Sequence, residues 1–360
     1  MRLIGHWLLT LCLLSPAAAN AAVQADGESV VRHAHYDFFS VGDAALPRAR
    51  HTELLLALMG GGGRLDAAFR ALGNAAGHGH IVILRAVSDD SFDPDDGDYG
   101  RSFVTDWGPV RSARTIVFHD RQAAYDPEVL ATLRAADGIF LAGGDQANYV
   151  RYWKGTPVQE LLNAHVRAHR PIGGSSAGLA ILGNYSYTSL DGGSLESRIA
   201  LSDPYGPAVT LDTDFLHVPG LEGVITDTHF SARSRLGRLI TFVARLDATF
   251  PAARVCGLGV DEASALLVDE RGIGRLAEGS AGSAWLVTVG KRGQVAAGRP
   301  LAVDAVSVER LDAGSRIDVR QRQVTAPAER RLEAVHDGHV AAGSASEAMF
   351  RRESVPADED

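Results

Sequence analysis

Apolar runs of strand length that end in glycine-rich turns constrain this chain most. The first run, residues 52–63, reads TELLLALMGGGG, and the residues after it repeat apolar side chains at helical spacing. Similar runs return at residues 81–87, 115–120 and 138–146, followed by a helical pattern at 158–169. Strands that alternate with helices predict an α/β fold, with a parallel sheet covered by helices on both faces.

The glycine-rich turns indicate where a functional site would lie. In an open parallel sheet, ligands bind beyond the carboxyl ends of the strands, where such turns gather. The glycines at residues 60–63 do not fit the G-x-G-x-x-G spacing of a dinucleotide-binding turn. We therefore expect a site at this sheet edge that holds no dinucleotide.

After the lead-in of residues 22–50, the pattern of apolar and polar residues changes at two places. Residues 51–270 carry the strand and helix alternation, which makes them the predicted α/β domain with the candidate catalytic residues. Residues 271–340 alternate apolar and polar side chains between glycines, a pattern typical of antiparallel strands. Residues 341–360 are small, polar and charged, and we expect a disordered tail there.

The first 21 residues have the pattern of a secretory signal peptide. A positive charge at Arg2 precedes an apolar run from Leu3 to Leu14 and then small residues. Cleavage near Ala21 would leave a secreted or periplasmic protein with Cys256 as its single cysteine, which excludes an internal disulfide and a multi-cysteine zinc site. The net charge of −9 gives no general attraction to nucleic acid or to anionic membranes.

One segment has the form of a nucleophile turn. Residues 174–178 read GSSAG, a G-x-S-x-G motif that follows an apolar strand and opens a helical pattern. This context predicts Ser176 as a nucleophile, with the amides of Gly144 and Ala177 as oxyanion donors and Gln146 as a hydrogen-bonding group for substrate. The alternative is a glycine–serine turn that only packs a helix against a strand.

A second segment, residues 227–238, reads DTHFSARSRLGR and places three arginines near His229. Arginine recognises carboxylates through paired hydrogen bonds, so the cluster of Arg233, Arg235 and Arg238 indicates an acidic ligand. The alternative is a solvated basic face.

No metal or other cofactor is expected. The histidine pairs His78/His80 and His165/His169 have spacings that metal sites use, but we interpret them as surface loop and helix residues.

Four segments in this order, GGDQ, GGSSAG, DTHFSARSRLGRL and GLGVDEASALLV, resemble the cyanophycinases of the S51 serine peptidase family. The similarity covers roughly residues 50–325, and the relatives include aspartyl dipeptidases. The resemblance implies a flavodoxin-like α/β fold related to class I glutamine amidotransferases, although those enzymes have cysteine where Ser176 stands. It also implies a homodimer and an exopeptidase that releases β-aspartyl-arginine from cyanophycin.

The resemblance assigns roles to individual residues. It implies Ser176 as nucleophile and His229 as general base. The substrate-binding positions of the family fall on Gln146, Asp227, Arg233, Arg235 and Arg238. Thr228 stands where the family usually has glutamine, which removes an amide donor and acceptor from the site.

The third member of the triad is less well defined by the sequence. The family's acid follows the serine by 15 to 20 positions, which selects Glu196 with Asp191 as the runner-up. Glu262 in the DEASA segment is the third choice, although that segment fits a structural strand as well. Two other functions remain open besides a cyanophycinase: a dipeptidase or esterase of different specificity on the same scaffold, and a peptide-binding protein without catalysis.

Overall fold

The computed structural model describes residues 22–25, 28–88, 92–290 and 293–340. The predicted signal peptide and the predicted tail at 341–360 lie outside the described residues. The strands are, in chain order, β1 (Ala22–Ala25), β2 (Glu28–Arg32), β3 (Tyr36–Gly42), β4 (Leu55–Met59), β5 (His80–Ala86), β6 (Ser112–Phe118), β7 (Gly138–Leu141), β8 (Ile172–Ser175), β9 (Ser186–Tyr187), β10 (Leu211–Asp212), β11 (Val224–Asp227), β12 (Cys256–Val260), β13 (Ala265–Asp269), β14 (Ile273–Leu276), β15 (Ala284–Val289), β16 (Val303–Leu311), β17 (Arg316–Asp318), β18 (Gln323–Thr325), β19 (Glu329–His336) and β20 (His339–Val340).

The helices are α1 (Asp66–Ala75), α2 (Asp98–Thr105), α3 (Pro127–Ala135), α4 (Gln146–Trp153), α5 (Pro157–Arg167), α6 (Ala177–Ala180), α7 (Ser197–Ser202) and α8 (Leu236–Thr249), with 3₁₀ turns at Pro94–Gly97 and Arg121–Tyr125. Within the described residues, none of these helices combines the length and apolar character needed to cross a bilayer.

The larger sheet contains twelve strands in the order β1-β2-β3-β6-β5-β7-β8-β4-β13-β14-β17-β18. Its centre, β6-β5-β7-β8-β4, is parallel throughout. The strands on either side of this centre pair antiparallel with their neighbours. The predicted parallel α/β core and the later antiparallel strands are therefore both confirmed.

Helices cover both faces of the parallel centre because its strands are apolar on both sides. Val82 and Leu84 of β5 pack in the same core as side chains of α3, α4 and α5. Ile81 and Ile83 point to the opposite face, where they pack with α1 and α2. Alternate side chains of β5 thus pack into two separate hydrophobic cores, one on each face of the sheet.

A second sheet contains six strands in the order β11-β12-β15-β16-β19-β20. β11 and β12 are parallel, and the rest of the sheet is antiparallel. Its own core contains α8 together with Trp285 and Val287 of β15. Both sheets take strands from either side of residue 270, since β14, β17 and β18 extend the larger sheet.

The topology brings the carboxyl ends of five strands to one region. β7, β8 and β4 are neighbours in the larger sheet, and β11 and β12 are neighbours in the smaller one. The turns after all five strands carry the glycine-rich and polar segments singled out in the sequence. Asp145 ends the turn after β7 by capping α4, where its carboxylate accepts a hydrogen bond from Ala147 N at 2.8 Å.

Candidate active site

Ser176 lies in a strained turn between β8 and α6. Its φ of +52° falls in the left-handed region, which a non-glycine residue rarely adopts. The two motif glycines permit the tight packing around it: a Cβ on Gly178 would lie 2.1 Å from Leu141 O, and one on Gly174 would lie 2.5 Å from Gly178 O. The strand–turn–helix context predicted for this segment is confirmed.

The side chains of Ser176, His229 and Glu262 form a continuous hydrogen-bonded chain. Ser176 Oγ lies 2.8 Å from His229 Nε2, and His229 Nδ1 lies 2.6 Å from Glu262 Oε1. A carboxylate at Nδ1 holds the proton on that nitrogen, so that Nε2 is free to accept the serine proton. This is the geometry of a serine nucleophile with an oriented base.

These contacts correct the prediction that Glu196 is the acid beside His229, because Glu262 occupies that position. Glu196 is exposed, precedes α7, and lies 3.7 Å from Arg198 instead of near the imidazole. Asp191 lies in an exposed turn. Glu262 reaches His229 because β12 is parallel to β11, so the residues that follow the two strands meet at one sheet edge. The number of residues between Ser176 and an acid therefore does not predict which acid contacts His229.

The glycine turn after β4 fits against His229 and Glu262. Gly60 O accepts a hydrogen bond from His229 N, and Gly61 O accepts one from Ala263 N, both at 2.8 Å. A Cβ on Gly61, whose φ is +91°, would lie 2.6 Å from His229 Nε2 and 3.1 Å from Ser176 Cβ. The backbone passes so close to the reacting groups that only glycine fits there.

Asp261 fixes the turn that carries His229. This buried carboxylate accepts hydrogen bonds from Ser231 N at 2.9 Å and Ser231 Oγ at 2.6 Å. It also accepts from Ser283 N at 2.9 Å and from Trp285 Nε1. Asp261 thus ties the His229 turn to the smaller sheet, a role that the sequence did not suggest.

The surroundings of His229 lower its pKa. Burial disfavours the charged imidazolium most, and the charges of Arg233 and Arg235 act in the same direction. The hydrogen bond to Glu262 raises the pKa and offsets part of this effect. The balance keeps the imidazole neutral, and thus able to accept a proton, at neutral pH.

A cleft of about 220 Å³ opens beside Ser176. It is lined by Gly144, Asp145, Gln146, Ser176, Ala177, Ser189, Gly193, Ser194, Thr228, His229, Arg233 and Arg235. The structure thus brings together the two predicted oxyanion residues, Gln146, Thr228 and two of the three arginines. We did not predict from the sequence that the short turn with Ser189, Gly193 and Ser194 lines the cleft. The glycines and serines of this turn were the sequence signal that could have indicated it.

Asp227 and Arg238 do not line this cleft. Arg238 Nε donates to Asp227 Oδ2 at 2.8 Å, and a second guanidinium nitrogen binds the other carboxylate oxygen. Both residues are only 2% exposed. The expectation that their side chains contact substrate is corrected, because each satisfies the buried charge of the other.

Arg235 and Arg233 differ in how they line the cleft. Arg235 is buried and donates to Thr228 O at 2.9 Å, Thr228 Oγ1 at 3.0 Å and Ser194 Oγ at 3.0 Å. Burial and the charge of Arg238 lower the pKa of Arg235 to about 9, so it remains charged at neutral pH. Arg233 is exposed at the cleft wall. The cleft therefore has one fixed and one accessible positive charge.

The histidine pairs require a partial correction. His80 is buried, with Nδ1 2.8 Å from Ser112 Oγ and Nε2 2.9 Å from Leu46 O. His165 is also buried, with Nε2 3.0 Å from Pro171 O. These two are structural core residues rather than surface ones. Across the described part of the chain, no three His, Cys, Asp or Glu side chains cluster closely enough to hold a metal ion.

The chain is similar to a known peptidase family. A sequence model of peptidase family S51 matches residues 116–203, a segment that includes Ser176 and ends before His229. The resemblance to this family predicted from the motifs is confirmed.

The individual relatives are named cyanophycinases. The chain is 31% identical over 221 residues to the cyanophycinase of Trichormus variabilis, covering 57% of this chain and 64% of the relative. It is 33% identical over 164 residues to the cyanophycinase of Synechococcus elongatus, covering 45% of this chain and 46% of the relative. The matched region thus spans less than two thirds of these relatives.

Among solved structures, a peptidase from an acI-B1 Actinobacterium is similar with a TM-score of 0.47 and 16% identity, covering 75% of this chain and 98% of that one.

Proposed function

We propose that this protein is a serine peptidase of the S51 type that hydrolyses cyanophycin or related β-aspartyl peptides. The observation that carries the proposal is the hydrogen-bonded chain Ser176–His229–Glu262 beside a cleft with two arginines. The similarity to peptidase family S51 and to named cyanophycinases supports it.

The first chemical step follows from the side chains at the turn after β8. His229 Nε2 accepts the proton of Ser176 as its Oγ attacks the substrate carbonyl carbon, because the neutral hydroxyl is a weak nucleophile. Glu262 keeps the imidazole oriented and stabilises the imidazolium that forms. His229 then donates this proton to the leaving nitrogen, which leaves an acyl ester on Ser176.

The developing negative charge on the carbonyl oxygen needs hydrogen-bond donors. Ala177 is the first residue of α6, so its N–H has no acceptor within its own helix. Gly144 lines the same cleft. We assign the N–H groups of these two residues as the oxyanion donors. Water, deprotonated by His229, then hydrolyses the ester and restores Ser176.

Substrate recognition is assigned to the cleft wall. Arg233 and Arg235 pair with carboxylate groups of an acidic substrate, and Gln146 and Thr228 hydrogen-bond its backbone. The Nε of Arg235 is buried without a hydrogen-bond partner among the described residues. Release of β-aspartyl-arginine dipeptides, export after removal of residues 1–21, and a homodimer complete the proposal.

The proposal is tested by incubating purified protein with cyanophycin and identifying the products by mass spectrometry. The expected products are β-aspartyl-arginine dipeptides, and the Ser176→Ala variant serves as the control. Cleavage of α-aspartyl dipeptides or simple esters, with cyanophycin intact, would assign a different specificity to the same site. Absence of cleavage of all three substrates by a folded protein would contradict the peptidase proposal.

A further inference from the structure

A peptide between two glycines carries one of the two assigned oxyanion donors. Its carbonyl belongs to Gly143 and its N–H to Gly144, in the turn after β7. Gly144 lines the cleft beside Ser176, and a Cβ on Gly143 would lie 3.6 Å from Ser176 Cβ. Two flanking glycines leave a peptide unusually free to rotate, because neither side has a Cβ that restricts the backbone. The direction of the Gly144 N–H therefore depends on what binds this peptide.

Within the part of the chain that the structure describes, no backbone group holds the Gly143–Gly144 peptide. Neither the carbonyl oxygen of Gly143 nor the N–H of Gly144 takes part in a backbone–backbone hydrogen bond. The Gly143 carbonyl instead accepts a hydrogen bond from the Tyr149 hydroxyl at 3.0 Å. The same hydroxyl donates to Ala142 O at 2.7 Å. One side chain of α4 thus binds the glycine turn.

The packing of α4 fixes the position of the Tyr149 hydroxyl. Tyr149 is fully buried, at 0% exposure, in the core that α3, α4 and α5 share. Its ring stacks on Trp153 with the two centroids 4.5 Å apart. Burial raises the pKa of the hydroxyl, so it stays protonated and donates at neutral pH.

The planarity of the peptide makes the contact at the carbonyl a constraint on the N–H. None of the described peptide bonds is cis. In a trans peptide, the C=O and the N–H point in opposite directions. The Gly143 carbonyl points toward a hydroxyl in the core, so the Gly144 N–H points away from the core. Gly144 is itself exposed at the cleft wall, which places this N–H on the side of the reacting groups.

We propose that Tyr149 is a positioning residue for the oxyanion site, because its hydroxyl holds the Gly143–Gly144 peptide with the Gly144 N–H directed at the substrate oxygen. The effect on catalysis rests on the proposed peptidase function, whereas the orientation of the peptide does not. An oxyanion forms only in the transition state, so the hydroxyl contributes to kcat and not to KM.

Tyr149→Phe tests the effect on catalysis, since it removes the hydroxyl and keeps the ring that stacks on Trp153. We expect kcat to fall about tenfold, which is part of the roughly 10²- to 10³-fold loss for a missing oxyanion donor. The loss should be equal on cyanophycin and on an uncharged ester, with KM unchanged. The pH at which kcat/KM inflects should stay at its wild-type value, because the charges around His229 are unaltered.

Tyr152→Phe is the matched control. Tyr152 lies on the same helix, and its hydroxyl donates to Val87 O at 3.2 Å instead of to the glycine turn. This variant should leave kcat unchanged. Thermal melting establishes folding, and Tyr149→Met provides a second variant without the hydroxyl if Tyr149→Phe folds poorly. Equal kcat values in the Tyr149 and Tyr152 variants, or a rise in KM at constant kcat, would overturn the proposal.

NMR measures the orientation of the peptide without hydrolysis. Glycine labelled with ¹³C at the carbonyl and with ¹⁵N selects amides that follow a glycine, and Gly143→Ala identifies the Gly144 signal by its loss. We expect Tyr149→Phe to shift and broaden this signal and Tyr152→Phe to leave it in place. An unchanged Gly144 signal in Tyr149→Phe overturns the proposal. A wild-type protein that cleaves none of its candidate substrates contradicts the peptidase, and the Gly144 signal still decides the role of Tyr149.

Discussion

The two sheets contribute different parts of the candidate active site. The larger sheet presents Ser176 on a turn whose geometry is set locally, by β8, α6 and the motif glycines. The smaller sheet presents His229 and Glu262, which meet only because β11 and β12 lie side by side. The conformation of Ser176 thus depends on local chain geometry, whereas the positions of His229 and Glu262 beside it depend on tertiary contacts. Substitutions on the two sheets should therefore fail in different ways.

The largest effect is expected on the larger sheet. Ser176→Ala removes the attacking oxygen, so kcat on cyanophycin should fall by about five orders of magnitude or more. Ser175→Ala, one residue away at the end of β8, is the matched control and should retain most activity. Thermal melting of both variants establishes that they fold. Activity of Ser176→Ala within about tenfold of the wild type would exclude this serine as nucleophile.

The next largest effect is expected at the acid of the smaller sheet. Glu262→Gln gives the imidazole a neutral amide partner that no longer fixes its tautomer, so kcat should fall by roughly 10³- to 10⁴-fold, as for a triad carboxylate. Glu196→Gln, at an exposed position, should change kcat little. Steady-state kinetics on one substrate compares the two. A severe loss in Glu196→Gln with a mild one in Glu262→Gln would reverse the assignment.

The contact between the sheets can be changed without touching a triad side chain. Gly61→Ala would push a methyl group into the His229 ring, and displacement of the base by about 1 Å costs on the order of a hundredfold in kcat. Gly63→Ala is the control, because its Cβ would meet Ala263 Cβ at an ordinary 3.5 Å. Similar kcat values for the two variants would show that the glycine turn does not position the base.

The arginines separate recognition from stability. Arg233→Ala should lower kcat/KM on cyanophycin about tenfold, the lower end for a charged hydrogen bond, and leave hydrolysis of an uncharged ester unchanged. Arg238→Ala should instead destabilise the protein by about 3–5 kcal/mol, because the buried Asp227 loses its two guanidinium hydrogen bonds. Melting curves measure the loss of stability in Arg238→Ala, and kcat/KM on the two substrates measures the loss of recognition in Arg233→Ala. Equal losses on both substrates in Arg233→Ala would indicate structural damage.

The smallest effect concerns pH. Catalysis requires neutral His229, whose pKa is lowered on burial, so kcat/KM should be constant near neutral pH and fall as pH drops through a value below the ordinary histidine pKa of about 6.5. Arg233→Ala removes one of the charges that lower this pKa, so the inflection should move upward. A wild-type inflection above 6.5 would contradict the electrostatic picture of the site.

The sequence predicted the parts of the site that local geometry determines. The run GGSSAG identified Ser176, because a serine between a strand and a helix needs glycines on both sides where the backbone packs too closely for a Cβ. The apolar periodicity also predicted the parallel core and the later antiparallel strands. Glu262 was ranked last among the acids, since spacing from Ser176 was the available criterion and the pairing of β11 with β12 was not visible in it.

The arginine cluster shows a second limit of sequence reasoning. Arg233, Arg235 and Arg238 lie close together in the chain, and charge alone treats them as equivalent. Their positions after β11 and at the start of α8 point them in different directions, so one is exposed, one lines the cleft while buried, and one neutralises Asp227. Burial decides between recognition and core pairing, and it depends on the packing of α8 against the smaller sheet.

The placement of Glu262 in the turn after β12, far along the chain from Ser176, has a consequence for how the protein is made. During synthesis, the nascent chain carries Ser176 long before Glu262, which orients His229, has been added. Until β12 has been translated and has docked beside β11, the serine is an ordinary hydroxyl with no activated partner. On the proposed function, hydrolysis therefore requires the pairing of β12 with β11, and an incomplete chain lacks the acid that orients the base.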